Sequence, residues 1–157
     1  MFRRLIFVAG CLVSTAALSA PPRAFLNNAI KGDNSEIALG RLIAARGASA
    51  QVRRFGNTLY RDHSTARGQA IAVARQMGFR PPSAMMAEAR AEQRKLLRLR
   101  GRAFDLEVRR YMINDHREDI AKFQAQARTG ERRTAALARA QLPTLRKHLR
   151  IAESIRR

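Results

Sequence analysis

The sequence predicts an all-α fold, a four-helix bundle with an additional short helix linking the second and third long helices. Three observations predict it. Apolar residues recur at spacings of three and four rather than two, β-branched runs are absent, and clusters of Gly, Pro and Ser cut the chain into segments of bundle length. No stretch alternates with the period of two that a half-buried strand requires.

Taken in order, residues 1–20 read as a secretory signal peptide. Met1-Phe2-Arg3-Arg4 is a short cationic start, Leu5 to Leu18 is an apolar run, and Ala16-Ala17-Leu18-Ser19-Ala20 supplies the small residues of a processing site. The run is shorter than the roughly 18–20 apolar residues a membrane-spanning helix needs. The scissile bond stays open among Ala17, Ser19 and Ala20, because Pro21 disfavours a cut after Ala20. Val8-Ala9-Gly10-Cys11 is a weak lipobox with only three apolar residues before it. Removing the segment removes Cys11, the single cysteine, so the delivered domain holds no disulfide, thiolate metal site or cysteine nucleophile.

Residues 21–157 suit one domain with one core. Its first helix is expected from about Arg23 to Arg46, with Phe25, Leu26, Ala29, Ile37, Gly40, Ile43 and Ala44 on one side. Gly47-Ala48-Ser49 breaks it, and Ser49 caps a second helix that reaches about Met77. Gly78 through Pro82 stop that helix, since glycine suits a left-handed cap and proline cannot continue it. Ser83 then caps a short helix from Ala84 to about Leu99. A long helix follows from Gly101 to about Arg128, packing through Phe104, Val108, Tyr111, Met112, Ile120 and Phe123. The last helix runs from about Arg132 to Ile155, with Pro143 expected to kink it.

Lys and Arg number 31 against 12 Asp and Glu, a formal net charge of +19 that is nearly all arginine. Such a charge favours polyanions, and export makes anionic envelope components or the membrane surface the nearest ones. A solvated arginine-rich surface with no ligand accounts for it equally well, because arginine is a good helix former. The basic residues are scattered over all helices without an aromatic platform, so no nucleic-acid motif is present. A phosphate-binding glycine loop, HExxH and G-x-S-x-G are absent as well, and nothing marks the chain as an enzyme.

The informative residues are ionisable ones inside the apolar stripes. Asp105 and His116, eleven positions apart, fall within about 20° of one another on the line of Met112 and Phe123. His63 lies between Leu59 and Ala66, Glu36 shares a face with Gly40 and Ile43, and His148 flanks Leu145 and Ala152. Each long helix thus sends at least one ionisable group inward, including all three histidines. Unpaired burial of a polar group costs about 2–7 kcal/mol. Two arrangements remove that cost: a hydrogen-bonded structural network, or a transition-metal ion (iron, manganese, zinc or copper) held by Glu36, His63, Asp105, His116 and His148. Periodicity leaves both open, because it does not give the height of each group in the bundle. Asp33, Asp62 and Asp115 adjoin these positions, and Asp62 and Asp115 are expected to face outward toward arginines.

Four segments carry a family resemblance: "FLNNAIKGDNSEIALGRL" from Phe25 to Leu42, "YRDH" ending at His63, "GRAFDLEVRRYMINDH" from Gly101 to His116, and "LPTLRKHL" from Leu142 to Leu149. In that order, from about Ala24 to Ser154, the chain resembles the domain of unknown function 4142 family, exported bacterial proteins placed with the ferritin-like helical bundles. The resemblance implies a ferritin-like four-helix bundle and a periplasmic or envelope location, and it implies no established activity. Glu36, His63, Asp105, His116 and His148 match the family's recurring positions. The chain departs from ferritin itself, whose di-iron sites use Glu-x-x-His. Tyr60, Ile113 and Leu145 stand where those glutamates would be. The functional expectations are therefore a structural or binding module of the cell envelope, or a metal-binding bundle.

Overall fold

The computed structural model describes residues 20–156. The export signal expected over residues 1–20, with its processing site and Cys11, lies outside the described residues apart from Ala20. The described chain is all helix and turn: α1 (Pro22–Arg46), α2 (Ala50–Gln76), α3 (Ala87–Arg98), α4 (Gly101–Thr129) and α5 (Arg132–Ser154). Among the described residues no helix is long and apolar enough to cross a membrane.

The helix ends obey local chemistry. The Ser49 hydroxyl accepts from the Val52 N–H at 3.2 Å and so caps α2. At the other end Gly78 takes φ +72°, and the N–H groups of Phe79 and Gly78 donate to the carbonyls of Ala74 and Arg75, the paired bonds of a Schellman cap. The Glu131 carboxylate caps α5 by accepting from the N–H groups of Arg133 and Thr134. Pro143 sits inside α5 without ending it.

One boundary differs from expectation. The short helix α3 starts at Ala87 rather than Ala84, because α1 holds the preceding segment extended. Asn34 Nδ2 donates to the carbonyls of Pro82 and Ala84, and the Met86 N–H donates to the Ser35 hydroxyl at 2.9 Å. Those backbone groups are thereby committed away from a helical turn, so Ser83 has no helix to cap.

α1 pairs extensively with α2 and α4 with α5, and α2 also lies against α5. The ends of α1 and α5 meet the starts of α2 and α4 at one end of the bundle, where Ala48 bonds Asp105, Gln51 bonds Ser154 and Arg109 bonds the Ile155 carbonyl. The chain therefore returns from the far end of α2 through residues 77–100, and α3 within that crossover packs on α1 and α4. The α1–α2 approach is closest at Gly40 and Gly56. A Cβ on Gly56 would stand 2.3 Å from the Ala44 nitrogen and 2.7 Å from the Gly40 carbonyl oxygen, so only glycine fits.

The apolar core falls into two blocks. Near the α1–α2 turn it comprises Leu39, Ile43, Val52, Phe55, Leu59, Phe104, Val108, Met112 and Ala152 among others. At the opposite end it comprises Phe25, Leu26, Ile30, Ala70, Ala74, Phe123, Ala138, Leu142 and Leu145. Each large side chain fully buried in these blocks stabilises the fold by about 1.5–3 kcal/mol. Between Ile30 and Leu39, Leu59 and Ala66, Ile113 and Phe123, and Leu145 and Ala152, the same four helices contribute Asp33, Glu36, His63, His116 and His148, all buried. A polar layer thus crosses the bundle at one height, flanked by apolar packing above and below.

Candidate metal centre

The layer is built from one helical turn of each long helix. α2 supplies Asp62 and His63, α4 supplies Asp115, His116 and Asp119, α5 supplies His148, and α1 supplies Asp33 and Glu36. The three imidazoles lie against each other, with ring centroids 5.0 Å (His63–His148), 5.3 Å (His116–His148) and 5.9 Å (His63–His116) apart. One ring nitrogen from each lies within 4.8 Å of those from the other two.

Each imidazole is held from behind. His63 Nδ1 is 2.9 Å from Asp33 Oδ1, His116 Nδ1 is 3.0 Å from the Met112 carbonyl oxygen, and His148 Nε2 is 2.7 Å from Asp62 Oδ2. Asp62 also accepts from the Lys147 ammonium. Burial works against ionisation of Asp62, yet the bonds from Lys147 and His148 hold it below its ordinary value. It is therefore a carboxylate that accepts, so His148 Nε2 carries a hydrogen. The Met112 carbonyl accepts in the same way, so His116 Nδ1 carries one too. The remaining nitrogens, His116 Nε2 and His148 Nδ1, face each other at 3.2 Å as two lone pairs. His63 Nε2 is buried with no hydrogen-bond partner. Holding a proton between the rings is unfavourable: burial, followed by the charge of the neighbouring imidazoles, pushes His116 well below its ordinary pKa, and burial with His63 brings His148 down to about 4.

Of the three histidines, His63 lines a cavity of about 820 Å³ that lies beside the triad. Eight of the chain's 12 acidic residues line it: Asp33, Glu36, Asp62, Glu88, Glu92, Asp115, Glu118 and Asp119. Of the 28 Lys and Arg among the described residues only Lys95, Arg110 and Lys122 do. The basic chain therefore encloses an acidic interior. Burial raises the Glu36 carboxyl well above its ordinary value, and Asp115, Asp119 and Asp33 raise it further. Burial and then Asp119 bring Asp115 up to about 7. Asp33 and Asp119 are raised by burial against the pull of His63 and Lys122 respectively. Asp33 Oδ2 and Glu36 Oε2 are buried without hydrogen-bond partners.

A comparison of the whole chain with protein families decides its kinship: residues 12–155 match the family described as "Domain of unknown function (DUF4142)". The chain belongs to the DUF4142 family. No curated protein and no solved structure matches it.

Of the sequence-derived site residues of this DUF4142 chain, the structure brings Glu36, His63, His116 and His148 together and leaves Asp105 apart. Eleven residues of α4 separate Asp105 from His116, about 16 Å along the axis, so a shared face does not give a shared height. Asp105 Oδ1 and Oδ2 accept from the N–H groups of Ala48 and Ser49 at 2.8 and 2.9 Å, tying the α1–α2 turn to the start of α4. Asp62 and Asp115 also depart from expectation. Rather than facing outward toward arginines they line the cavity, with about a quarter of each side chain accessible. The signal for them was in the chain. Asp33/Glu36 and Asp115/Asp119 are like-charge pairs at i,i+3 and i,i+4, which destabilise a helix unless something compensates. In a chain so poor in acids their spacing is conspicuous.

Proposed function

We propose that this DUF4142 protein binds a first-row transition-metal ion in its bundle core through His63, His116 and His148. One observation carries the reading: two imidazole nitrogens, whose ring partners oblige both to be lone pairs, stand 3.2 Å apart. A water molecule cannot fit between atoms so close. Two nitrogens bound at about 2.0–2.1 Å to one tetrahedral ion are themselves about 3.3 Å apart, which is the spacing a shared cation requires. His63 Nε2 supplies the third lone pair, and Asp33, Met112 and Asp62 behind the rings are the partners that fix tautomer and orientation in histidine metal sites. The carboxylates of the cavity lie beside the triad and favour a divalent cation there.

A purely structural network accounts for the layer less well, since it requires each buried acceptor to find a donor and these face one another instead. Within this reading the domain is exported, and its arginine exterior meets anionic envelope surfaces while the acidic interior holds the metal. Metal-depleted protein, incubated separately with Zn²⁺, Co²⁺, Mn²⁺, Fe²⁺ and Cu²⁺ and desalted, tests it by elemental analysis. Stoichiometric retention of at least one ion, abolished in H116A and H148A variants that keep their helical circular dichroism, is expected. Failure to retain any ion, or retention undiminished in both variants, overturns the proposal.

A further inference from the structure

The cavity is far larger than a single ion needs, and its carboxylates extend past the histidines. A second group of ligand atoms, from Glu36, Asp115 and His116, lies within 4.8 Å of one another. His116 belongs to both groups, so a nitrogen-rich group and an oxygen-rich group adjoin at its ring. On the oxygen side two buried carboxylate oxygens have no donor. Glu36 is 3% exposed and its Oε2 has no hydrogen-bond partner, and the same holds for Oδ2 of Asp33, which is 5% exposed. The approach of Asp115 Oδ2 to His116 Nδ1, at 3.6 Å, is too long for a hydrogen bond, and that ring nitrogen already donates to the Met112 carbonyl.

We infer that the cavity holds a second divalent cation, bound by oxygen, with Glu36 and Asp115 as its ligands and Asp33 and Asp119 within reach. The inference rests on the histidine site proposed above, because the two positions adjoin at His116. Their donor sets differ, and so do the ions they favour. Three imidazoles suit zinc, copper or iron, whereas carboxylates suit manganese, magnesium or calcium. Glu36 of α1, with an unpartnered buried oxygen and a ligand atom within 4.8 Å of Asp115 of α4, meets the needs of a hard cation, and Asp33 one turn before it carries a second unpartnered oxygen. A second imidazole-type ion has no free nitrogen on that side.

The experiment loads metal-depleted protein with one equivalent of Zn²⁺, removes the excess, and titrates Mn²⁺ while following the loss of the free-ion signal by electron paramagnetic resonance. The expected result is one further equivalent of Mn²⁺ bound with Zn²⁺ fully retained. E36Q and D115N, which keep side-chain shape, are expected to retain Zn²⁺ and lose the Mn²⁺ equivalent. Zn²⁺-loaded protein that binds no Mn²⁺, Mn²⁺ that displaces Zn²⁺, or variants that bind Mn²⁺ like the parent each overturn the second position and leave the histidine site standing. Protein that binds no Zn²⁺ overturns the histidine site itself, and the second position with it.

Discussion

Replacing Asp105 with alanine separates the two roles that the sequence alone leaves combined. Its carboxylate accepts two backbone hydrogen bonds, from Ala48 and Ser49, and is 7% exposed. Hydrogen bonds to a charged acceptor contribute about 1.5–3 kcal/mol each, which brackets the loss at about 3–6 kcal/mol. Ala48 and Ser49 themselves are exposed, so water replaces part of what their N–H groups lose, and the lower end, about 3 kcal/mol, is expected. For a domain of this size that lowers the melting temperature by roughly 9–15 °C. D105N keeps one carbonyl acceptor and is expected to lose about half as much. Thermal melts of the metal-depleted protein followed by circular dichroism measure the loss, and elemental analysis of the loaded variants measures metal. Both variants should retain metal like the parent. A D105A protein of unchanged stability, or one that folds normally and fails to bind metal, refutes the assignment of Asp105 to the α1–α2 turn.

The remaining predictions concern pH, second-layer partners, helix packing and surface charge. Glu92, raised from 4.5 to about 7 by burial and by Glu107, contributes stability that is fully present below about 4.5 and is lost as pH rises through about 7. E92Q should therefore flatten that part of the stability profile in urea titrations, and an unchanged slope refutes the assignment. D62A removes the acceptor that fixes the His148 tautomer and should weaken metal binding about 10–100-fold, read by competition with a chromogenic chelator. G56A places a Cβ against the backbone of α1, where side-chain repacking offers no relief, and should cost at least about 3 kcal/mol or prevent folding. Retention of the protein on anionic lipid vesicles should fall steeply with salt, and retention indifferent to salt refutes an electrostatic role for the arginine exterior.

Much of the fold was legible because its signals are local. Ser49, Gly78, the Pro81-Pro82 pair and Gly130 mark the helix ends that the structure shows, and the three-and-four spacing marks the buried faces. The start of α3 was not legible, because it is decided by Asn34 and Ser35, about fifty residues away in sequence. The same distinction runs through the site. That His63, His116 and His148 point inward follows from the period of each helix taken alone. That they meet depends on how four helices are set along one another, which no single helix encodes, and Asp105 shows the failure: it has the right face and the wrong height. The outward expectation for Asp62 and Asp115 rests on each preceding an inward histidine. A residue 100° away on a helix wall still reaches the interior where a cavity opens beside it, and periodicity carries no information about cavities.

The arrangement of charge makes the cation reading self-consistent. A layer of polar groups inside a bundle is tolerated when its donors and acceptors balance. Here the donors are spent on the rim: Lys147 and His148 on Asp62, Lys122 on Asp119 and Glu118, and His116 on a backbone carbonyl. What is left facing inward is a surplus of acceptors, namely Asp33 Oδ2, Glu36 Oε2, His63 Nε2 and the opposed nitrogens of His116 and His148. More than twenty arginines and lysines stand outside the cavity, yet none of them reaches these five atoms. Proton uptake relieves the carboxyls, which their raised pKa values favour, but it does little for the imidazoles, whose burial opposes protonation. Divalent cations satisfy both classes of acceptor at once. For that reason the histidine triad and the carboxylates are better read as one compensated system than as two unrelated polar defects in the core.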